Sequence, residues 1–124
     1  MKRIIMIATL TLSALTPLSA NAQERLSDAR YIAAQHCLAY ASLTQLQSDP
    51  VDVSALREAV RPGFRDSAVS SETREDARRI RARANNLATT PNGVQELREQ
   101  RDQACASFVE RGLVQSGGST SGAS

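Results

Sequence analysis

The two cysteines limit the folds open to this 124-residue chain more than any other feature of its sequence. Cys37 and Cys105 are its only cysteines, and a bond between them would close a loop of about 70 residues, which the chain-entropy treatment values at about 4 kcal/mol. Each cysteine falls near the middle of the apolar face of a long segment with helical periodicity. We therefore predict a disulfide that joins two antiparallel helices at their midpoints.

The start of the chain explains why these cysteines would be oxidised. A short positive start and an apolar run over residues 4–15 precede small residues at Ala20 and Ala22, the two positions that a signal peptidase recognises. This predicts a secretory signal peptide over residues 1–22, cleaved after Ala22, and a periplasmic or secreted protein in which disulfides form. The apolar run is too short for a permanent span, so no stable membrane span is expected after cleavage.

Four segments of the remaining chain have helical periodicity, and none alternates as a strand would. The first covers residues 25–47, and the second is a short helix that begins at a cap, Asp52 or Ser54, and ends at Pro62-Gly63. The third runs from Ser70 or Ser71 to about Leu87, and the fourth covers residues 94–114. We predict an all-α fold over residues 23–115, either a small bundle or an irregular array of about four helices, with the first and last stapled by the disulfide. Residues 116–124 are predicted to form a disordered Gly/Ser tail.

Within this fold, the connection over residues 64–70 contributes two apolar side chains. Phe64 and Val69 are expected to tuck under the bundle, because the chain has only four aromatic residues and its core is otherwise built from small aliphatic side chains.

The charge of the mature chain argues against several classes of partner. Loss of the signal peptide removes Lys2 and Arg3, which leaves 13 arginines against 13 acidic residues. General attraction to nucleic acid needs a net basic field, so no nucleic-acid partner is expected. The mature sequence also has a single histidine and no Cys-x-x-Cys, haem or nucleophile-elbow motif. We therefore expect no metal, no cofactor and no catalytic residues.

Two features of the sequence are candidates for a binding or sensing role. Arg74, Arg78 and Arg81 follow one another at spacings of four and three on the third helix, which predicts either a docking surface for an acidic or phosphate-bearing partner or a solvated face. His36 is the only histidine and lies at the edge of the apolar arc of the first helix. It is a candidate pH-sensing group or a boundary side chain that covers the core.

These features favour a non-enzymatic helical protein that binds another periplasmic or secreted protein, as chaperones, inhibitor or immunity proteins and secretion accessories do. The alternative is a carrier or sensor that holds a small ligand in an apolar pocket between helices. An enzyme is the third hypothesis, and it would require a cleft that contains His36 and a carboxylate.

Overall fold

A computed structural model describes residues 25–61 and 63–116 of the chain. The predicted signal peptide and residues 117–124 of the predicted tail lie outside the described residues. In chain order the elements are α1 (Asp28–Ala41), a 3-10 turn (Thr44–Leu46), β1 (Val51–Asp52), α2 (Ser54–Val60), α3 (Ser67–Leu87), α4 (Gly93–Glu110) and β2 (Gln115–Ser116). The four helices confirm the predicted all-α fold, to which the structure adds two very short antiparallel strands.

The first helix lies at the centre of the fold and contacts the other three helices. Cys37 of α1 forms the disulfide with Cys105 of α4, and Tyr40, further along α1, hydrogen-bonds to Gln100, which comes before Cys105 in α4. The two helices therefore run antiparallel, as predicted. The third helix, α3, runs in the same direction as α1. His36 contacts Asp76, and Gln45, which follows α1 in the chain, contacts Asn85, which lies further along α3 than Asp76. Three long helices therefore pack together in a bundle-like all-α fold, and the short α2 lies against α1.

The predicted disulfide is present and joins α1 to α4 inside the core. The Cα atoms of Cys37 and Cys105 lie 4.9 Å apart, and both residues are almost fully buried. They belong to a core cluster with Leu56 of α2 and Phe108 of α4, completed by Ala34, Val53 and Val114. The disulfide thus connects the helix pair at the place where the short helix also packs.

A second core cluster lies where α1 gives way to the 3-10 turn. Its buried residues come from α1, the turn, α3 and α4; they are Tyr40, Leu43, Leu46, Ile80, Ala84 and Leu97. The turn corrects the predicted first helix, which was extended to residue 47. The chain leaves α-helical geometry after Ala41, and beyond this point Leu43 and Leu46 are buried in one cluster with residues of α3 and α4.

The other helix ends also differ from the predicted ones, for local reasons. The third helix begins at Ser67 rather than at Ser70 or Ser71, because the Asp66 carboxylate accepts a hydrogen bond from the Val69 backbone N–H at 3.1 Å. The last helix ends at Glu110 rather than at residue 114. Gly112 has φ +75°, and the chain then turns back so that the Leu113 N–H donates to the Phe108 carbonyl.

The short helix is capped by Val53, without a side-chain hydrogen bond, and not by Asp52 or Ser54 as predicted, although Asp52 contacts its first residue. One carboxylate oxygen of Asp52 accepts hydrogen bonds from the Ser54 hydroxyl at 2.6 Å and from the Ser54 backbone N–H at 3.0 Å. These hydrogen bonds, the hydroxyl bond first, hold the pKa of Asp52 below its usual value. Asp52 also pairs with Gln115 in the strand ladder, so the start of α2 is tied to the segment that follows α4.

The prediction for Phe64 is wrong, because Arg65 occupies the buried position that was expected for the aromatic ring. Phe64 is 84% exposed. The Arg65 guanidinium contacts the Asp28 carboxylate at 2.7 Å and the Leu26 carbonyl at 2.6 Å, and it lies 4.4 Å from the centre of the Tyr31 ring. This set of contacts anchors the connection to the start of α1 and turns Phe64 outward. The companion prediction holds, since Val69 is buried.

Candidate functional site

A groove of about 380 Å³ opens between α1, α2 and α3, and we call it the arginine groove. It is lined by Gln35, Leu38, Ala39, Ser42, Arg57, Thr73, Arg74, Ala77 and Arg81. The lining residues of α1 and of α3 recur at spacings of one, three and four, so each set occupies one face of its helix. Alanine at two floor positions keeps the side chains short there, which leaves room between the helices.

The lining of the arginine groove carries three positive charges and no negative one. Among the described residues, neither the Arg57 nor the Arg81 guanidinium has an ion-pair or hydrogen-bond partner, and the Arg74 guanidinium has one long contact, with the Ser71 hydroxyl at 3.5 Å. Leu38 and the alanines supply an apolar floor. A groove of this kind can hold a ligand that combines carboxylate or phosphate groups with apolar groups.

The structure brings two of the three candidate docking arginines into this groove and leaves the third outside it. Arg74 and Arg81 line the groove, whereas Arg78 contacts the Glu75 carboxylate at 3.6 Å on an exposed side of α3. Arg57 was missing from the predicted set. It lies on α2, and no local spacing links it to α3; only the packing of both helices against α1 places it beside Arg74 and Arg81.

The arginine groove continues toward the 3-10 turn as a smaller pocket of about 120 Å³. The two share Ser42 and Arg81, and the smaller pocket adds Leu43, Thr44, Gln45 and Asn85. Here the Gln45 amide N–H donates to Asn85 Oδ1 at 2.9 Å and ties the turn to α3. Arg81 therefore lies between two adjoining spaces, the larger with apolar groups on its floor and the smaller lined mainly by polar side chains.

His36 lies in a different groove, of about 320 Å³, formed by α1, α3 and α4, which we call the histidine groove. Its lining consists of Ala29, Ile32, Ala33, His36, Glu72, Asp76, Arg79 and Ala104. His36 Nδ1 lies 2.6 Å from Asp76 Oδ2, and the imidazole packs edge-on against Tyr40 with ring centres 5.2 Å apart. The contact with Asp76 is an ion pair only when His36 is protonated.

The histidine groove holds His36 with a carboxylate, the arrangement that the enzyme hypothesis requires. Its lining contains no serine, threonine or cysteine that could act as a nucleophile. The described part of the chain also contains no group of three or more histidine, cysteine, aspartate or glutamate side chains placed to hold a metal ion. The arrangement can therefore bind and orient polar groups, and catalysis through it would depend on a water molecule as the nucleophile.

Tyr40 lies beside the histidine groove, between α1, α3 and α4. Its side chain is buried in the second core cluster, and its hydroxyl donates a hydrogen bond to Gln100 Oε1 at 3.1 Å. Burial raises the pKa of Tyr40 above its usual value; nearby Arg83 opposes this effect and Asp76 adds to it. The hydroxyl therefore stays protonated in the folded protein at pH values where it ionises in the unfolded chain.

The raised pKa of Tyr40 predicts a loss of stability at alkaline pH. Its contribution is fully present below the unfolded pKa of about 10 and is lost as the pH rises through the higher folded pKa. We expect the free energy of urea unfolding to decrease as the pH rises above about 10, and to decrease less in Tyr40→Phe. Tyr31→Phe is the matched control and should keep the decrease; an unchanged decrease in Tyr40→Phe would contradict this assignment.

No protein-family model, curated protein or solved structure matches this chain. The disulfide fits an oxidising compartment such as the periplasm or the extracellular space. No helix over residues 25–61 and 63–116 is both long enough and apolar enough to cross a membrane. The two grooves are therefore assigned as candidate binding sites from their own geometry and chemistry, without a related protein for comparison.

Proposed function

We propose that this protein is a non-enzymatic periplasmic or secreted binding protein that holds an acidic segment of another protein in the arginine groove. The observation that carries this proposal is the unbalanced charge of the groove, in which Arg57, Arg74 and Arg81 surround an apolar floor without a carboxylate in the lining. Aspartate or glutamate side chains of the bound segment would pair with the guanidinium groups. Its apolar side chains would pack on Leu38 and the alanines of the floor.

The distribution of charge makes this attraction local. The predicted mature chain has as many arginines as acidic residues, so it has no net field that would draw in every polyanion. Selectivity would come from spacing. Arg74 and Arg81 are seven residues apart on α3, which corresponds to about 10 Å along the helix axis. A peptide in the polyproline II conformation covers nearly that distance with acidic residues three positions apart, which lie on one face of it, at about 3.1 Å per residue.

The scaffold around the groove favours recognition without a large change in shape. Two of the three elements that line the groove, α1 and α2, also contribute to the core cluster around the disulfide. A groove that is already held in place in the free protein loses less conformational entropy on binding than a mobile groove would. Its lining supplies hydrogen-bond donors and apolar surface, which serve binding, and we assign no catalytic role to it.

Isothermal titration of the oxidised mature protein with designed peptides tests the proposal. The probe is a blocked hexapeptide with glutamates three positions apart and leucine or alanine at the other positions; the matched control carries glutamine in place of each glutamate. We expect the acidic peptide to bind at least about tenfold more tightly than its control, with an affinity that decreases as salt rises from about 50 to about 300 mM. Equal affinity for both peptides, or no binding of either, would contradict the proposal.

A further inference from the structure

We propose that the histidine groove is a second binding site, for short peptides with free termini, and that it fits a tripeptide with small side chains. This inference does not depend on the arginine groove, because the two grooves open on different sides of α1 and have no lining residue in common. The inference rests on two opposite charges, which lie at the two ends of a row of α3 side chains in the groove, and on the apolar wall opposite that row.

The row consists of Glu72, Asp76 and Arg79, which follow one another on α3 at spacings of four and three and all line the groove. The middle residue, Asp76, is already engaged by His36 at 2.6 Å. Neither the Glu72 carboxylate nor the Arg79 guanidinium has an ion-pair or hydrogen-bond partner in the part of the chain that the structure describes. The groove therefore has an unpaired carboxylate at one end and an unpaired guanidinium at the other.

The distance between these ends sets the length of the ligand. Seven residues of α-helix separate Glu72 from Arg79, which is about 10 Å along the axis. Three residues of extended peptide span about 10 Å at most, so the ammonium of a tripeptide can face Glu72 while its carboxylate faces Arg79. A free amino acid is too short to reach both ends at once.

The other side of the groove sets the kind of side chain. Ala29, Ile32 and Ala33 of α1 and Ala104 of α4 form an apolar wall, and the volume of about 320 Å³ is at the small end of the range for ligand sites. Small aliphatic side chains fit this wall better than aromatic or charged ones. The Nε2 atom of His36 forms no hydrogen bond with a described residue, so it is available to a peptide group at the middle of the ligand.

Titration with trialanine tests this inference on the oxidised mature protein. We expect trialanine to bind with a Kd of about 0.1–1 mM, and its N-acetyl and C-amide forms, like free alanine, to bind at least about tenfold more weakly, since each lacks one of the two terminal contacts. Arg79→Gln should abolish the preference for the free carboxylate and leave that for the free ammonium. Glu72→Gln should do the reverse.

The matched controls for these variants are Arg78→Gln and Glu75→Gln, which make the same charge changes on α3 outside the groove. Both controls should bind trialanine within about twofold of the unmodified protein, and circular dichroism should show equal helix content in all four variants. Equal affinity for free and blocked tripeptides, or no binding of trialanine to the folded protein at about 10 mM, would overturn the inference. Failure here leaves the test of the arginine groove unaffected, because that test uses blocked hexapeptides.

Discussion

Replacement of both cysteines by alanine is expected to lower the free energy of unfolding by about 4 kcal/mol. The disulfide spans 68 residues, so in its absence the unfolded chain gains the conformational freedom of a long open loop. The core offers little compensation, because the chain has only four aromatic residues and alanine contributes to both core clusters. For a domain of this size a loss of about 4 kcal/mol is a large part of the total stability.

Urea unfolding monitored by circular dichroism measures this effect. Unmodified protein is compared with Cys37→Ala/Cys105→Ala and with unmodified protein kept reduced, because the reduced protein retains both buried side chains and loses only the covalent link. We expect the reduced protein to lose most of what the double variant loses, since the stabilisation comes mainly from the constraint on the unfolded chain. A decrease of less than about 1 kcal/mol in both samples would show that the disulfide does not stabilise the fold.

Neutralisation of the three groove arginines is expected to weaken binding of the acidic hexapeptide by about 30-fold. Arg57→Gln/Arg74→Gln/Arg81→Gln removes the guanidinium groups that pair with the two glutamates of the peptide, and each such pair is worth about 1 kcal/mol. These side chains lack carboxylate partners among the described residues, so their replacement should leave the unfolding free energy nearly unchanged. Isothermal titration gives the affinity, and urea unfolding confirms that the variant is folded.

A matched triple variant separates the geometry of the groove from the overall charge. Arg61, Arg78 and Arg111 are exposed and do not line the arginine groove, so their replacement by glutamine makes the same change in net charge elsewhere on the surface. This control should bind the acidic peptide within about threefold of the unmodified protein. Similar losses in the two triple variants would mean that binding follows net charge alone, which would contradict a specific site.

The parts of the fold that could be predicted from sequence are the helices, which follow from the spacing of apolar residues, and the disulfide, which is the expected product of two cysteines in an oxidising compartment. Helical spacing identified all four helices, and the position of Cys37 and Cys105 on two apolar faces predicted both the disulfide and the antiparallel packing of α1 on α4. The sequence placed the start of α2 at Asp52 or Ser54; the helix does begin at Ser54, but its cap is Val53, and Asp52 acts one position further out through its hydrogen bonds with Ser54.

The features that sequence analysis missed depend on contacts between distant segments. Arg57 joins Arg74 and Arg81 only because two helices pack on a third, and Asp76 meets His36 across 40 residues of chain. The burial of Arg65 instead of Phe64 has the same origin, since the Asp28 carboxylate and a free carbonyl at the start of α1 can pair with a guanidinium and not with a phenyl ring. No local pattern encodes these partners.

The most direct test of the arginine groove is a nuclear magnetic resonance titration of ¹⁵N-labelled oxidised protein with the acidic hexapeptide. If the peptide occupies the groove, amide shifts will concentrate at lining residues such as Leu38, Ser42, Arg57 and Arg81, and they will be absent for the glutamine control peptide. Shifts centred on Ala29, Ile32 and Ala104 of the histidine groove, or scattered among exposed arginines such as Arg61 and Arg111, would place acidic ligands elsewhere and contradict the proposed site.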